Sequence, residues 1–183
     1  MKAAVIGCGA WGTALANCLC KNGFETVLWC HDEALAKEML RKGENPMLEG
    51  VALAPALTTS ASAECVKGCD LVVIATSSVF VRSSSRMVAP FLEKDVVVAT
   101  VVKGVESGTM LRMSQIVEEE TGHTVVALTG PATLRKLAEK CLPAVWLLVL
   151  IWKRRCSYKV PFVMMYFAFT PATILWAQSL AAR

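Results

Sequence analysis

Gly7-Cys8-Gly9-Ala10-Trp11-Gly12 sets three glycines at the spacing of a phosphate-cradling turn. The run follows the apolar stretch Ala3-Ala4-Val5-Ile6 and opens a segment of helical character, which is the strand-turn-helix context that gives such a motif meaning. The three glycines serve different ends. Gly7 permits the tight turn, Gly9 lets the backbone approach a pyrophosphate, and Gly12 lets the helix pack closely on the strand. The anion then lies on a helix N-terminus, where unbonded N–H groups and the positive end of the helix dipole favour negative charge. The competing reading is a glycine turn with a structural role only.

Three further positions could serve the same ligand. Asp32 lies 20 residues beyond Gly12 by number and just after a second apolar run, where an acid can accept hydrogen bonds from an adenine ribose; its alternative role is to cap the helix that follows. His31 beside it could instead face the 2′-phosphate of NADP. Lys103 follows the run Val96-Val97-Val98-Ala99, at the sheet edge where open α/β folds bind ligands; there it meets a phosphate, polarises a carbonyl, or stays solvated. Gly130-Pro131 forms a second turn after Thr124-Val125-Val126-Ala127-Leu128.

The elements that must position these residues alternate along the chain. Apolar runs at 3–6, 26–29, 71–74, 96–99 and 124–128 read as buried parallel strands, continuous rather than alternating in pattern. Between them, residues 11–21, 32–42, 60–67, 79–92 and 109–120 have the length and composition of helices, with Asp32 and Ser60 as N-caps. Residues 43–57, punctuated by Gly43, Pro46, Gly50 and Pro55, read as a loop with at most a short strand near Val51. The pattern predicts an α/β fold, a doubly wound parallel (Rossmann) sheet of at least five strands with crossover helices over residues 1–131.

Composition supports one packed core. The 183 residues are 55% hydrophobic and 19% charged, which excludes a disordered chain. The net charge of +4 is unevenly placed: residues 1–131 carry 11 basic and 14 acidic side chains, residues 132–183 carry 8 and 1. That basic excess sits among Trp, Leu, Val and Phe, unlike a nucleic-acid-binding face, so no nucleic-acid partner is expected. The eight cysteines form no CxxC pair and lie mostly in apolar runs, so they read as reduced core residues with no metal site; Cys65 and Cys69, one helical turn apart, lack further ligands. Because the first strand runs straight into the glycine turn, the start leaves no room for a secretory signal, and a cytoplasmic location is expected.

Taken together, Gly7-Cys8-Gly9-Ala10-Trp11-Gly12-Thr13-Ala14-Leu15-Ala16, Leu28-Trp29 before His31, Asn45-Pro46, Lys103-Gly104-Val105-Glu106-Ser107-Gly108-Thr109 and Leu128-Thr129-Gly130-Pro131 resemble the bacterial NAD(P)-dependent glycerol-3-phosphate dehydrogenases. The likeness covers residues 1 to about 131 and continues intermittently to Val145. It implies an oxidoreductase that interconverts sn-glycerol 3-phosphate and dihydroxyacetone phosphate with NAD or NADP, supplying glycerophospholipid synthesis, and that works as a homo-oligomer when full-length. It also implies that Ala10, Trp11, His31 and Phe80 contact the nucleotide, that Lys103 is shared between cofactor and substrate, and that Gly130 contacts the substrate. Lys103 fits that role because a hydride arriving at C2 of the ketone leaves an alkoxide that a cation stabilises.

Two departures bear on activity. The family's small polar residue two places after the glycine of Gly130-Pro131 is Ala132 here. Nothing in the 183 residues as written matches the family's helical second domain or its Glu-Leu-Gly-Gly-Ala-Leu-Lys-Asn segment, whose lysine is the general acid/base, so this chain is expected to bind nucleotide without turnover.

Residues 132–183 read as an out-of-frame, poorly ordered tail. Trp176 has the single codon TGG; joining its last base to the first two of Ala177 gives GGC, glycine. With permitted codons, residues 176–183 then become Gly-Ala-Glu-Leu-Gly-Gly-Ala. In the same phase residues 146–155 can give Val-Ala-Ser-Ile-Asp-Met-Glu-Ala-Ala. From the last base of Pro131, residues 132–137 can give Ser-His-Ala-Glu-Glu-Val, restoring the polar residue absent at Ala132. A gene whose shifted bases do not encode Glu-Leu-Gly-Gly-Ala near the end would refute this reading. The alternative is a membrane-attached nucleotide-binding or sensor protein anchored by the uncharged residues 160–177, with Lys153-Arg154-Arg155 on the cytoplasmic side. A β-hydroxyacid type of Rossmann dehydrogenase is a third reading, which the turn at 103–109 disfavours.

Overall fold

Six parallel strands lie side by side in the order 58–60, 25–29, 2–6, 71–74, 97–100 and 125–129, the doubly wound arrangement expected from the alternating pattern. This computed structural model describes residues 1–129 and the two-residue strand Met165–Tyr166. The strands are β1 Lys2–Ile6, β2 Glu25–Trp29, β3 Thr58–Ser60, β4 Leu71–Ile74, β5 Val97–Thr100 and β6 Val125–Thr129. Met165–Tyr166, here β7, pairs in parallel with Leu128 and Thr129 on the outer side of β6.

The apolar strand residues divide by parity between two faces, because successive side chains point to opposite sides of a sheet. Ala3, Val5, Leu28, Val73 and Ala99 meet helices α1 (Ala10–Lys21) and α2 (Glu33–Lys42). Ala4, Ile6, Ile74 and Val98 meet α3 (Val81–Val88) and α4 (Met113–Thr121) through Val81, Val88, Ile116 and Val117. Continuous apolar strands were therefore the right signal for a sheet covered on both sides. Chain reversal on either side of β1 opens a crevice between the loops that follow β1 and β4, and the site lies there.

The differences from the sequence expectation are local. Residues 60–67 are not a helix: Ser60 ends β3, and only Ala63–Val66 turns, as a 3-10 helix capped by the side chain of Ser62, which accepts from the Glu64 N–H. The segment expected as one helix over 79–92 is divided into Ser78–Phe80, Val81–Val88 and Ala89–Phe91, and Pro90 accounts for its last break. The last helix begins at Met113, because Gly104, Gly108 and Met110 all have positive φ and hold the preceding residues in a looped hairpin. Near Val51 there is a single bridge between Glu44 and Ala52.

The expectation of eight reduced cysteines is corrected. Cys8 and Cys30, whose Cα atoms are 5.1 Å apart, are joined as a disulfide that ties the glycine turn to the end of β2. Parallel pairing of Ile6 with Trp29 brings Cys8, two residues beyond Ile6, beside Cys30, one residue beyond Trp29. Cys18, Cys20, Cys65 and Cys69 take part in no disulfide among the described residues. Burial pushes the thiols of Cys65 and Cys69 up to about 11, so both are protonated at neutral pH.

Gly130, Pro131, Ala132 and the tail expected as out of frame lie outside the described residues, as does the uncharged stretch 160–177 apart from the β7 backbone. Among the described residues, no helix is long and apolar enough to cross a membrane.

Candidate functional site

The carboxyl ends of β1, β2, β4 and β5 carry the turns of Gly7, His31, Phe80 and Lys103 to one edge of the sheet. At β1 the chain turns at Gly7, with φ +122°, and Gly9 becomes the N-cap of α1. Gly7 cannot carry a side chain: a Cβ there would lie 2.8 Å from the Ala75 carbonyl oxygen. Nor can Gly12, whose Cβ would stand 1.8 Å from the Gly7 carbonyl oxygen. Gly9 is different, since a Cβ on it would meet nothing within 4 Å. Two of the glycines thus serve packing, while the third borders open space.

The N-terminus of α1 is open and carries no negative charge of its own. No side chain caps it, its first turn holds no acid, and its lone basic residue in the last turn is Lys21. Ala10 is half-buried and Trp11 is 39% exposed in that first turn. Backbone N–H groups without side-chain caps, behind a glycine with open space in front, form a cradle that an anionic diphosphate fits.

Beyond β2, His31, Asp32, Glu33, Ala34 and Lys37 line a surface pocket. The Asp32 Oδ1 accepts from the N–H groups of Ala34 and Leu35 at 2.9 and 3.1 Å, so the N-cap role weighed for it is realised. The His31 ring lies 6.4 Å from that of Trp29, and the Trp29 indole N–H donates to the Ala61 carbonyl.

Beyond β4, Val79 and Phe80 are exposed, at 79% and 59%. Beyond β5, the loop that bears Lys103 is fixed by Glu106. The guanidinium of Arg82, on α3, donates from Nε and Nη2 to the two Glu106 oxygens at 2.8 and 2.7 Å, and the Thr109 hydroxyl adds a bond of 2.6 Å. Arg82 also donates to Glu120 and Glu119 on α4, and Arg86 donates to Glu120. This fork-on-fork pairing clamps α3 to the loop after β5. Sequence reasoning missed Arg82, because its partner lies 24 residues away and no local spacing links the two.

These contacts hold the Glu106 carboxyl down to about 2 from its ordinary 4.5, chiefly through Arg82 and then Thr109. A depressed acid stabilises the fold above its unfolded value and loses that contribution as pH falls, here between about 4.5 and 2. Glu106→Gln should therefore lower the thermal midpoint at pH 7 and flatten its decline between pH 5 and 2.5. Parallel midpoint-versus-pH curves for variant and parent would show that the pair carries no such linkage.

Gly7, Gly9, Ala10, Trp11, Gly12, His31, Asp32, Phe80 and Lys103 are thus brought to one edge, whereas Gly130 lies outside the described residues. Residues 2–149 match the family described as NAD-dependent glycerol-3-phosphate dehydrogenase N-terminus. The chain is 39% identical over 145 residues to the NAD(P)+ glycerol-3-phosphate dehydrogenase of Thermobifida fusca, across 76% of this chain and 43% of that protein. To the enzyme of the same name from Moorella thermoacetica it is 42% identical over 131 residues, across 70% of this chain and 39% of that one. It therefore spans less than half the length of these curated relatives. Among solved structures, glycerol-3-phosphate dehydrogenase of Coxiella burnetii superposes with a TM-score of 0.72 over 91% of this chain and 53% of that chain; at 19% identity this is a likeness of fold. With a doubly wound sheet, a glycine cradle at its switch point and a family match across residues 2–149, the chain belongs to the NAD-dependent glycerol-3-phosphate dehydrogenase family and carries its N-terminal part.

Proposed function

We propose that residues 1–131 are the nucleotide-binding half of an oxidoreductase that interconverts sn-glycerol 3-phosphate and dihydroxyacetone phosphate with NAD or NADP, for glycerophospholipid synthesis. The observation that carries this reading is the helix N-terminus without a side-chain cap behind Gly9, which faces open space at the switch point of the sheet. Gly9, Ala10 and Trp11 would hold the pyrophosphate, and Gly7 and Gly12 would shape the turn beneath it. Asp32, with Oδ1 engaged in capping, would offer Oδ2 to the adenine ribose, and His31 would lie beside the 2′ position. Phe80 would contact the nucleotide from the loop after β4.

The nicotinamide, when bound, supplies the hydride exchange. Lys103 would then serve both ligands, its ammonium stabilising negative charge on the substrate oxygen at C2. Gly130 is the proposed substrate contact from the turn after β6. The family's acid/base lysine belongs to the segment proposed to lie in the shifted frame after residue 131. Cytoplasmic placement and a homo-oligomeric full-length form belong to the same reading, with no membrane or nucleic-acid partner.

Titration of the 183-residue chain with NADH and with NADPH, followed by nicotinamide fluorescence, tests the nucleotide reading. Saturable binding of at least one of them at one site per chain is expected. Linear, non-saturating signals with both would remove the reading.

A further inference from the structure

Asn45 is fully buried, yet its side chain makes three hydrogen bonds whose directions are fixed by chemistry. Its Oδ1 accepts from the Met47 N–H at 2.9 Å, which assigns the amide orientation, since only the oxygen can accept there. Its Nδ2 donates to the Cys8 carbonyl at 2.8 Å and to the Thr13 hydroxyl at 2.6 Å, and the Thr13 hydroxyl itself donates to the same carbonyl at 3.4 Å. Pro46 restricts Asn45 to extended backbone, and the observed φ of −102° and ψ of 125° match that restriction. The side chain is therefore anchored by the Met47 N–H and grips the middle of the glycine turn from 37 residues away.

We propose that Asn45 is a positioning residue for the pyrophosphate cradle. By turning the Cys8 carbonyl into the core, it fixes the peptide between Cys8 and Gly9. That peptide is trans, so the Gly9 N–H points away from the side on which Asn45 holds the Cys8 carbonyl. The same lock sets the start of α1, where the Thr13 N–H bonds to the Gly9 carbonyl at 3.0 Å, and so the placement of the Ala10 and Trp11 amides. If the lock is lost, the Cys8 carbonyl is free to rotate toward the ligand side, where an acceptor repels a diphosphate. The inference rests on the nucleotide reading above and adds to it the residue that presents the cradle.

Asn17 provides the comparison that separates positioning from loop fastening. It too is fully buried, but among the described residues its side chain bonds to the loop, donating to the Ala52 carbonyl at 3.0 Å and accepting from the Ala54 N–H at 2.9 Å. Asn17→Asp and Asn45→Asp each keep the accepting oxygen and replace the donor with a group that repels a carbonyl when ionised.

The experiment measures NADH affinity of the full chain, parent and both variants, at pH 8 and pH 5.5, with thermal midpoints alongside. Dithiothreitol is present throughout, so that the bond between Cys8 and Cys30 cannot hold the turn in place of Asn45. Asn45→Asp should weaken NADH at least tenfold relative to the parent at pH 8 and recover most of that loss at pH 5.5, because burial against the Cys8 carbonyl raises the pKa of a carboxyl at this position and lets its protonated form donate. Asn17→Asp should lower the midpoint yet keep affinity within threefold. An Asn45→Asp chain that binds within twofold of the parent at both pH values overturns the inference, and so does an equal loss in Asn17→Asp. If Asn45→Asp does not fold, Asn45→Ser is read by the same comparison. A parent chain that binds no NADH removes the nucleotide reading and this inference with it, whereas binding with an indifferent Asn45 variant removes the inference alone.

Discussion

Gly12→Ala lowers the thermal midpoint by roughly 10 °C and takes nucleotide binding with it. The methyl group would be placed 1.8 Å from the Gly7 carbonyl oxygen and 3.0 Å from its carbon, and both are backbone atoms that cannot swing aside as a flexible side chain can. Relief requires α1 to lift off the turn. That lift would disturb Ala14, Leu15, Cys18 and Leu19, which α1 buries against the sheet. Overpacking a tight core costs about 3 kcal/mol in severe cases, and in a chain of this size each kcal/mol shifts the midpoint by about 2–4 °C. The bond from Thr13 N–H to the Gly9 carbonyl would be strained by the same movement. Calorimetric unfolding of parent and variant measures the effect, and a midpoint shift below 2 °C would mean that the helix and turn are not in the contact described.

Gly9→Val has the opposite profile: the fold survives and NADH binding falls by more than a hundredfold. The position has ordinary extended backbone, φ −66° and ψ 175°, and nothing lies within 4 Å of an added Cβ, so the branch point of a valine meets no clash. Replacing an N-cap glycine with an aliphatic residue costs on the order of 1 kcal/mol, a shift of a few degrees. The same side chain would occupy the space proposed for the pyrophosphate above Ala10 and Trp11, and a β-branched residue has little χ1 freedom with which to vacate it. Gly12 and Gly9 are thus two glycines of one motif with separable consequences, one in stability and one in binding. A Gly9→Val chain that keeps parental affinity would place the nucleotide elsewhere.

Much of this architecture is legible in the residues. The strands at 3–6 and 71–74 are continuous apolar runs because helices cover both faces of the sheet, and that burial leaves a one-dimensional signature. The glycine turn is legible for the same local reason: strand, turn and helix are contiguous in sequence. β3 escapes the reading because Thr58-Thr59-Ser60 is a short edge strand with little apolar content, stabilised by pairing with Val27, Leu28 and Trp29 instead of by burial. Asn45 and Arg82 escape as contributors to the site because their partners are distant in the chain. Asn45-Pro46 announces a turn locally, but only the folded chain shows that its amide reaches Cys8. The bond between Cys8 and Cys30 escapes likewise, since a spacing of 22 residues without a CxxC pattern carries no pairing signal, and only the register of β1 on β2 brings the two together.

Titrating parent and Gly9→Val chains with NADH, side by side and at matched folded fraction, addresses the central claim most directly. The account predicts saturable binding at one site per parent chain, no detectable saturation for Gly9→Val, and thermal midpoints within a few degrees of each other. Equal affinity in the two chains, or a parent chain that never saturates, would contradict the assignment of the glycine turn as the nucleotide cradle.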